Sequence, residues 1–122
     1  VLKFTREISS ATTIRRVSGD AIVIGETRYT GTIALTPDGL LEDFAPPSLE
    51  ELALSHVEKL LEDEPERVIL GTGTRTGFPP RELSFACARR RIGLEVMDTA
   101  AAARTFNVLA GEGRRLAAVL YL

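Results

Sequence analysis

Two short runs hold the residues best able to do chemistry: Gly71-Thr72-Gly73, which follows the apolar stretch Val68-Ile69-Leu70, and Asp98-Thr99, which follows Leu94-Glu95-Val96-Met97. Glycine lets the main chain approach a ligand closely, the N–H groups that open a helix attract an anion, and threonine and aspartate add small hydrogen-bonding groups. If the two apolar stretches are neighbouring parallel strands, both runs lie on one rim, where open α/β sheets hold ligands. Each run also has a plain structural use. The glycines suit a tight turn out of a strand, and Asp98 suits an N-cap, where helix N–H groups and the helix dipole would hold its carboxylate charged and make it a poor general base. Arg104 and Asn107 stand one turn apart and flank the face made by Ala102, Ala103, Phe106 and Leu109. A guanidinium and an amide so placed either grip a carboxylate, with Arg75 as a second source of charge, or anchor main-chain carbonyls of a neighbouring segment.

Other motifs are incomplete. Gly71-Thr72-Gly73 opens like a dinucleotide fingerprint, but Thr76 stands where the third glycine belongs, and Phe78 follows Gly77 where a phosphate loop carries lysine. No cofactor is expected. His56, the single histidine, falls at an apolar-face position of a helix far along the chain from these runs, which suits packing or partial exposure. Cys87 lies inside a helix with no His or Lys close in sequence to activate it, which suits burial. Neither residue nominates a catalytic group, and together they make no metal-ligand set.

The elements that must position these runs are marked by periodicity and punctuation. Residues 12–36 alternate apolar and polar between turn signals at Ser18-Gly19-Asp20 and Gly25-Glu26, which predicts antiparallel strands near 12–17, 21–24, 26–29 and 32–35. Pro37-Asp38-Gly39 closes that section as a turn. After Pro46-Pro47, Ser48 and Glu51 form a capping-box pattern that opens a helix over 49–61, with Leu49, Leu52, Ala53, His56, Val57, Leu60 and Leu61 on one face and Glu64-Pro65 as its end. Val68-Ile69-Leu70 reads as a strand covered on both faces. A helix over 81–91 follows Pro79-Pro80, with Gly93 as its left-handed stop, and a third helix runs from Asp98 or Thr99 to about Ala110. The unbroken apolar run 116–122 reads as a central strand. Strands first and a βαβαβ second half imply a single α/β domain over 1–122: three layers, a mixed central sheet, added N-terminal antiparallel strands and about three helices.

A chain of 122 residues is of ordinary single-domain length, and 44% hydrophobic with 26% charged residues describes a folded globular protein. A net charge of −2 offers no general attraction to nucleic acid, which is not expected as a partner. Charge is unevenly placed: from Glu42 to Glu66 it is acidic but for Lys59, and Arg67, Arg75, Arg81, Arg89, Arg90 and Arg91 follow. That asymmetry reads as solvated helix faces or as a bipolar interaction surface. No apolar run approaches a membrane span, and the lone cysteine fits a reducing compartment, so a cytoplasmic location is expected.

Read in order, Gly71-Thr72-Gly73, Phe78-Pro79-Pro80, Val96-Met97-Asp98-Thr99, Arg104-Thr105-Phe106-Asn107-Val108-Leu109 and Glu112-Gly113-Arg114-Arg115-Leu116-Ala117-Ala118 resemble a family. It is the small domain of unknown function typified by an archaeal Mth-type protein, and its members include the adipogenesis-associated Mth-type domain protein and a mitochondrial complex I assembly factor. The resemblance covers nearly the whole chain. It implies a compact three-layer α/β fold, no established enzymatic activity, and, in the mitochondrial relatives, action through protein contacts. Gly71, Thr72, Gly73, Asp98, Thr99, Arg104 and Asn107 match its signature, and Phe106 stands where many relatives carry tyrosine. The expectation is therefore an interaction or assembly domain that docks a protein partner. Its alternative is a pocket for a small anionic or polar metabolite between Gly71–Gly73 and Asp98-Thr99, with Arg104 or Arg75 supplying charge.

Overall fold

The computed structural model of the protein describes residues 13–122. Thr12, the expected start of the first strand, lies outside them. The described elements begin with β1 (Ile14–Val17), β2 (Ile22–Ile24) and β3 (Thr27–Tyr29), joined antiparallel in one small sheet. A second sheet takes β4 (Ile33–Thr36), β5 (Gly39–Leu40), β6 (Arg67–Thr72), β7 (Gly93–Met97) and β8 (Leu116–Tyr121), in the order β5-β4-β8-β6-β7. The helices are α1 (Leu54–Leu61), α2 (Arg81–Arg89) and α3 (Thr99–Gly111), with a short 3₁₀ turn at Leu49–Glu51. Pro37-Asp38 makes a turn as expected, but the chain resumes as β5, because the Thr36 hydroxyl accepts from Asp38 N–H and donates to the Gly39 carbonyl.

The central strands are apolar on both sides, and their period-2 alternation feeds two cores. Val68, Leu70, Ala117, Val119 and Ala34 face α1 and α2, whereas Ile69, Ala118, Leu120, Ile33 and Leu35 face α3 and the small sheet. The result is three layers around a mixed sheet, with β8 central: parallel to β6 and antiparallel to β4. Crossover handedness accounts for the layering. The step from β6 to β7 moves outward and the step from β7 to β8 returns across β6, so right-handed connections put α2 and α3 on opposite faces.

Two helix boundaries depart from expectation for local reasons. The expected helix over 49–61 is broken, because Leu52 and Ala53 are extended, with ψ of 119° and 168°. The break keeps Leu52 fully buried while α1 turns its own apolar face inward. Ser48 does not cap with its side chain. Its hydroxyl bonds the Glu51 carboxylate at 3.1 Å, and His56 caps α1 instead, its Nδ1 accepting from Ala53 N–H at 2.9 Å. His56 is thus exposed, off the apolar face to which periodicity assigns it. Gly93 is the first residue of β7, and the left-handed turn after α2 is made by Arg91, with φ of 61°.

Tyr121, the last residue of β8, donates its hydroxyl to the Pro47 carbonyl at 2.8 Å, fastening the segment before the 3₁₀ turn to the end of the strand. Burial, with the Glu50 carboxylate adding to it, pushes the phenol up to about 12. In the unfolded chain a phenol ionises near 10. Between those values the unfolded state releases this proton and the folded state keeps it, so stability is intact below about pH 10 and declines as pH rises toward 12. Urea unfolding across that range should show the decline in the wild type and a shallower one in Tyr121→Phe, and an identical slope in the two proteins would refute the assignment.

Candidate functional site

Leu70 pairs with Val96 and Gly71 with Met97 in parallel register, so β6 and β7 end side by side and their exits share one rim. Tyr121 pairs with Thr72, which brings the end of β8 to the same place. Thr99, 2% exposed, joins the three exits. Its Oγ1 accepts from Gly73 N–H at 2.8 Å and donates to the Tyr121 carbonyl at 2.6 Å, while its own N–H donates to the Gly73 carbonyl at 2.9 Å. Asp98 caps α3, accepting from Ala101 N–H at 2.8 Å. Gly73 adopts φ of +100°, a conformation that strains any residue with a Cβ.

Gly71 and Thr72 belong to β6 rather than to the loop after it. Gly71 is buried, and a Cβ there would meet Thr99 Oγ1 at 2.8 Å and Thr99 Cα at 2.9 Å, so this glycine allows α3 to approach the sheet. Thr72 organises the following turn, donating its hydroxyl to the Arg75 carbonyl at 2.6 Å and accepting from Gly77 N–H at 3.3 Å.

A cavity of about 230 Å³ opens on this rim between Gly73-Thr74, the α3 start from Asp98 to Ala100, and the end of β8. Its remaining wall is Val17, Ser18 and Gly19, from the end of β1 and the turn beyond it. Sequence spacing gives no sign of that wall, because it depends on how the small sheet seats against α3. Asp98 is the acidic side chain of the lining; neither Arg75 nor Arg104 contributes to it. Arg104 is exposed and borders a neighbouring shallow groove with Ile14 to Val17. Asn107 borders it too, with its amide committed to the backbone: Nδ2 donates to the Ile14 carbonyl at 2.8 Å and Oδ1 accepts from Ile14 N–H at 3.0 Å. Of the two uses open to Asn107, the structure shows anchoring.

Cys87 is buried against the α1/α2 core, and burial pushes its thiol up, with Arg90 opposing in smaller part. No group of three or more His, Cys, Asp or Glu among the described residues is arranged to hold a metal ion. No helix among the described residues is long and apolar enough to cross a membrane.

Residues 14–121 match the family described as protein of unknown function (DUF498/DUF598). The chain is 34% identical over 119 residues to the zebrafish (Danio rerio) protein named NADH dehydrogenase [ubiquinone] 1 alpha subcomplex assembly factor 3, covering 94% of this chain and 67% of that protein. It thus spans about two thirds of that relative's length. A Xanthomonas campestris protein solved by NMR is 42% identical and superposes with a TM-score of 0.81, over 88% of this chain and 82% of that one. A Bordetella pertussis protein described as an Mth938-like domain superposes with a TM-score of 0.73 over 92% and 86% of the two chains; at 24% identity it shows the shared fold.

The Thr99 hydroxyl gives a direct test of the junction. Thr99→Val keeps the shape and leaves the Gly73 N–H and the Tyr121 carbonyl without this partner, at a cost of about 2–4 kcal/mol. Thr99→Ser keeps the hydroxyl and loses one methyl, at about 1 kcal/mol. Urea unfolding should rank the proteins in that order, with Gly73 amide exchange accelerated in Thr99→Val alone.

Proposed function

Since this chain belongs to the family of proteins of unknown function DUF498/DUF598, we propose that it is an interaction domain without a reaction of its own, which helps to assemble a membrane-bound respiratory complex by docking a protein partner. The observation that carries this reading is the likeness to an assembly factor along 94% of the chain. The junction chemistry supports it as well: Thr99, Asp98 and Asn107 direct their polar groups to backbone within the fold, as a scaffold requires. The domain acts from the cytoplasmic side of the membrane, a placement supported by its single cysteine, which is buried and free. Deleting the gene in its native host should lower the amount of assembled NADH-oxidising complex on native gels, with a plasmid copy restoring it. Unchanged complex in the deletion strain would refute the reading.

A second reading, a small polar ligand at the rim, is supported by the cavity between Gly73-Thr74 and Asp98-Thr99. The Asp98 carboxyl in the lining, with no cationic side chain beside it there, makes a neutral polar or cationic molecule the better fit than an anion. In an NMR fragment screen, binders should shift amides of Gly73, Thr74 and Ala100 and lose affinity in Asp98→Ala. Shifts scattered elsewhere, or binding indifferent to that substitution, would dismiss it.

A further inference from the structure

The helix α2 buries Leu83, Ala86 and Cys87, so at 100° per residue Phe85 stands on its outward side, 58% exposed. Arg81 and Arg89, four residues before and after, share its stripe. Neither has a carboxylate partner among the described residues, where the ion pairs join Arg28–Asp20, Arg67–Glu95, Arg90–Glu58 and Arg114–Glu66. Glu82 is the one acidic residue of this helix. A single exposed phenylalanine is unremarkable in itself. What gives this one meaning is the surface beside it.

Between residues 41–45 and α1 runs a groove of about 540 Å³. Leu41 and Phe44 line it and pack on the core beneath, and Glu42, Asp43, Glu58 and Glu62 also line it, against the cation Lys59 and the imidazole of His56. Leu41, Phe44, α1 and α2 all rest on the same core, and Arg90, at the end of α2, bonds Glu58 of α1 at 3.3 and 3.4 Å. A basic aromatic knob and an acidic apolar groove therefore lie next to each other on one face of the molecule. Such a face is self-complementary. A two-fold axis lying in the plane of contact, across the line from knob to groove and midway along it, brings each knob to the other copy's groove at once and closes the assembly at two.

We propose that the α1/α2 face pairs with the same face of a second copy, Phe85 of each seated over Leu41 and Phe44 of the other, with Arg81 and Arg89 against Glu42, Asp43 and Glu62. This inference is independent of the assembly reading. Two helices of eight and nine residues make a small interface, and a net charge of −2 per copy opposes it only weakly at physiological salt, so the association is weak and weakens further as salt rises.

Sedimentation equilibrium of the full chain, from about 10 μM to about 1 mM, spans the affinities that small interfaces support. The mean mass of the wild type should climb toward twice the monomer. Phe85→Ser, the double variant R81E/R89E and the double variant E42R/E62R should each stay monomeric, with thermal unfolding unchanged because every substituted side chain is exposed. Mixing the two charge-reversed variants in equal amounts should restore association, to about the extent the wild type shows at half the total concentration, since both contacts of the mixed pair are again complementary. A wild type monomeric throughout, or variants that associate as the wild type does, would overturn the proposal. So would a wild type monomeric alone that sediments with vesicles containing phosphatidylglycerol, which would assign this face to an anionic membrane.

Discussion

The structure turns on one hydroxyl. Thr99 Oγ1 takes the N–H that leaves β6 and gives its proton to the carbonyl that ends β8, from the first residue of the helix that follows β7. Three chain exits thereby share one buried atom, and removing a partner in such a place costs far more than an exposed hydrogen bond does. Other features follow from it. Thr99 can sit this low over the sheet only if residue 71 has no side chain, and Gly73 must turn through φ of +100° to present both its N–H and its carbonyl to the same threonine. The Gly-Thr-Gly run is therefore explained at both glycines by where Thr99 stands, before any ligand is considered.

This bears on what could be read from residues alone. The strands were legible because period-2 alternation and continuous apolar runs are direct consequences of half-buried and fully buried sheet, and Val68-Ile69-Leu70 and Leu116 to Leu120 sit where those patterns put them. The shared rim was legible too, since the exits of adjacent parallel strands must coincide. Less legible was anything settled by contact between distant segments. Leu49, Leu52, Val57, Leu60 and Leu61 have helical spacing, yet burying Leu52 favours an extended step that splits the helix. Gly71 reads as a loop glycine, and only the height of α3 above the sheet reveals it as a packing glycine. The wall from Val17 to Gly19 has no local signal, because its place depends on an amide at residue 107.

Charge shows the same division. The acidic block and the arginines after it are evident in the sequence, and folding uses part of each to neutralise the other: Arg90 meets Glu58 and Arg114 meets Glu66. These pairs are exposed, so each contributes little to stability. The polarity of the α1/α2 face comes from the charges outside these pairs, Glu42, Asp43 and Glu62 along the groove beside α1 and Arg81 and Arg89 on α2.

The Asn107 side chain does for β1 what a neighbouring strand would ordinarily do, pairing both the N–H and the carbonyl of Ile14 across 93 residues of sequence. In time, that distance is a delay. On the ribosome β1 and β4 emerge early, but the amide that receives β1, and the β8 strand that β4 needs, follow only after β6, α2 and β7. The early strands must therefore wait with their apolar sides uncovered until β8 has been made. Closure of this fold thus waits on β8, and the uncovered apolar strands are most open to misassociation just before that strand is made.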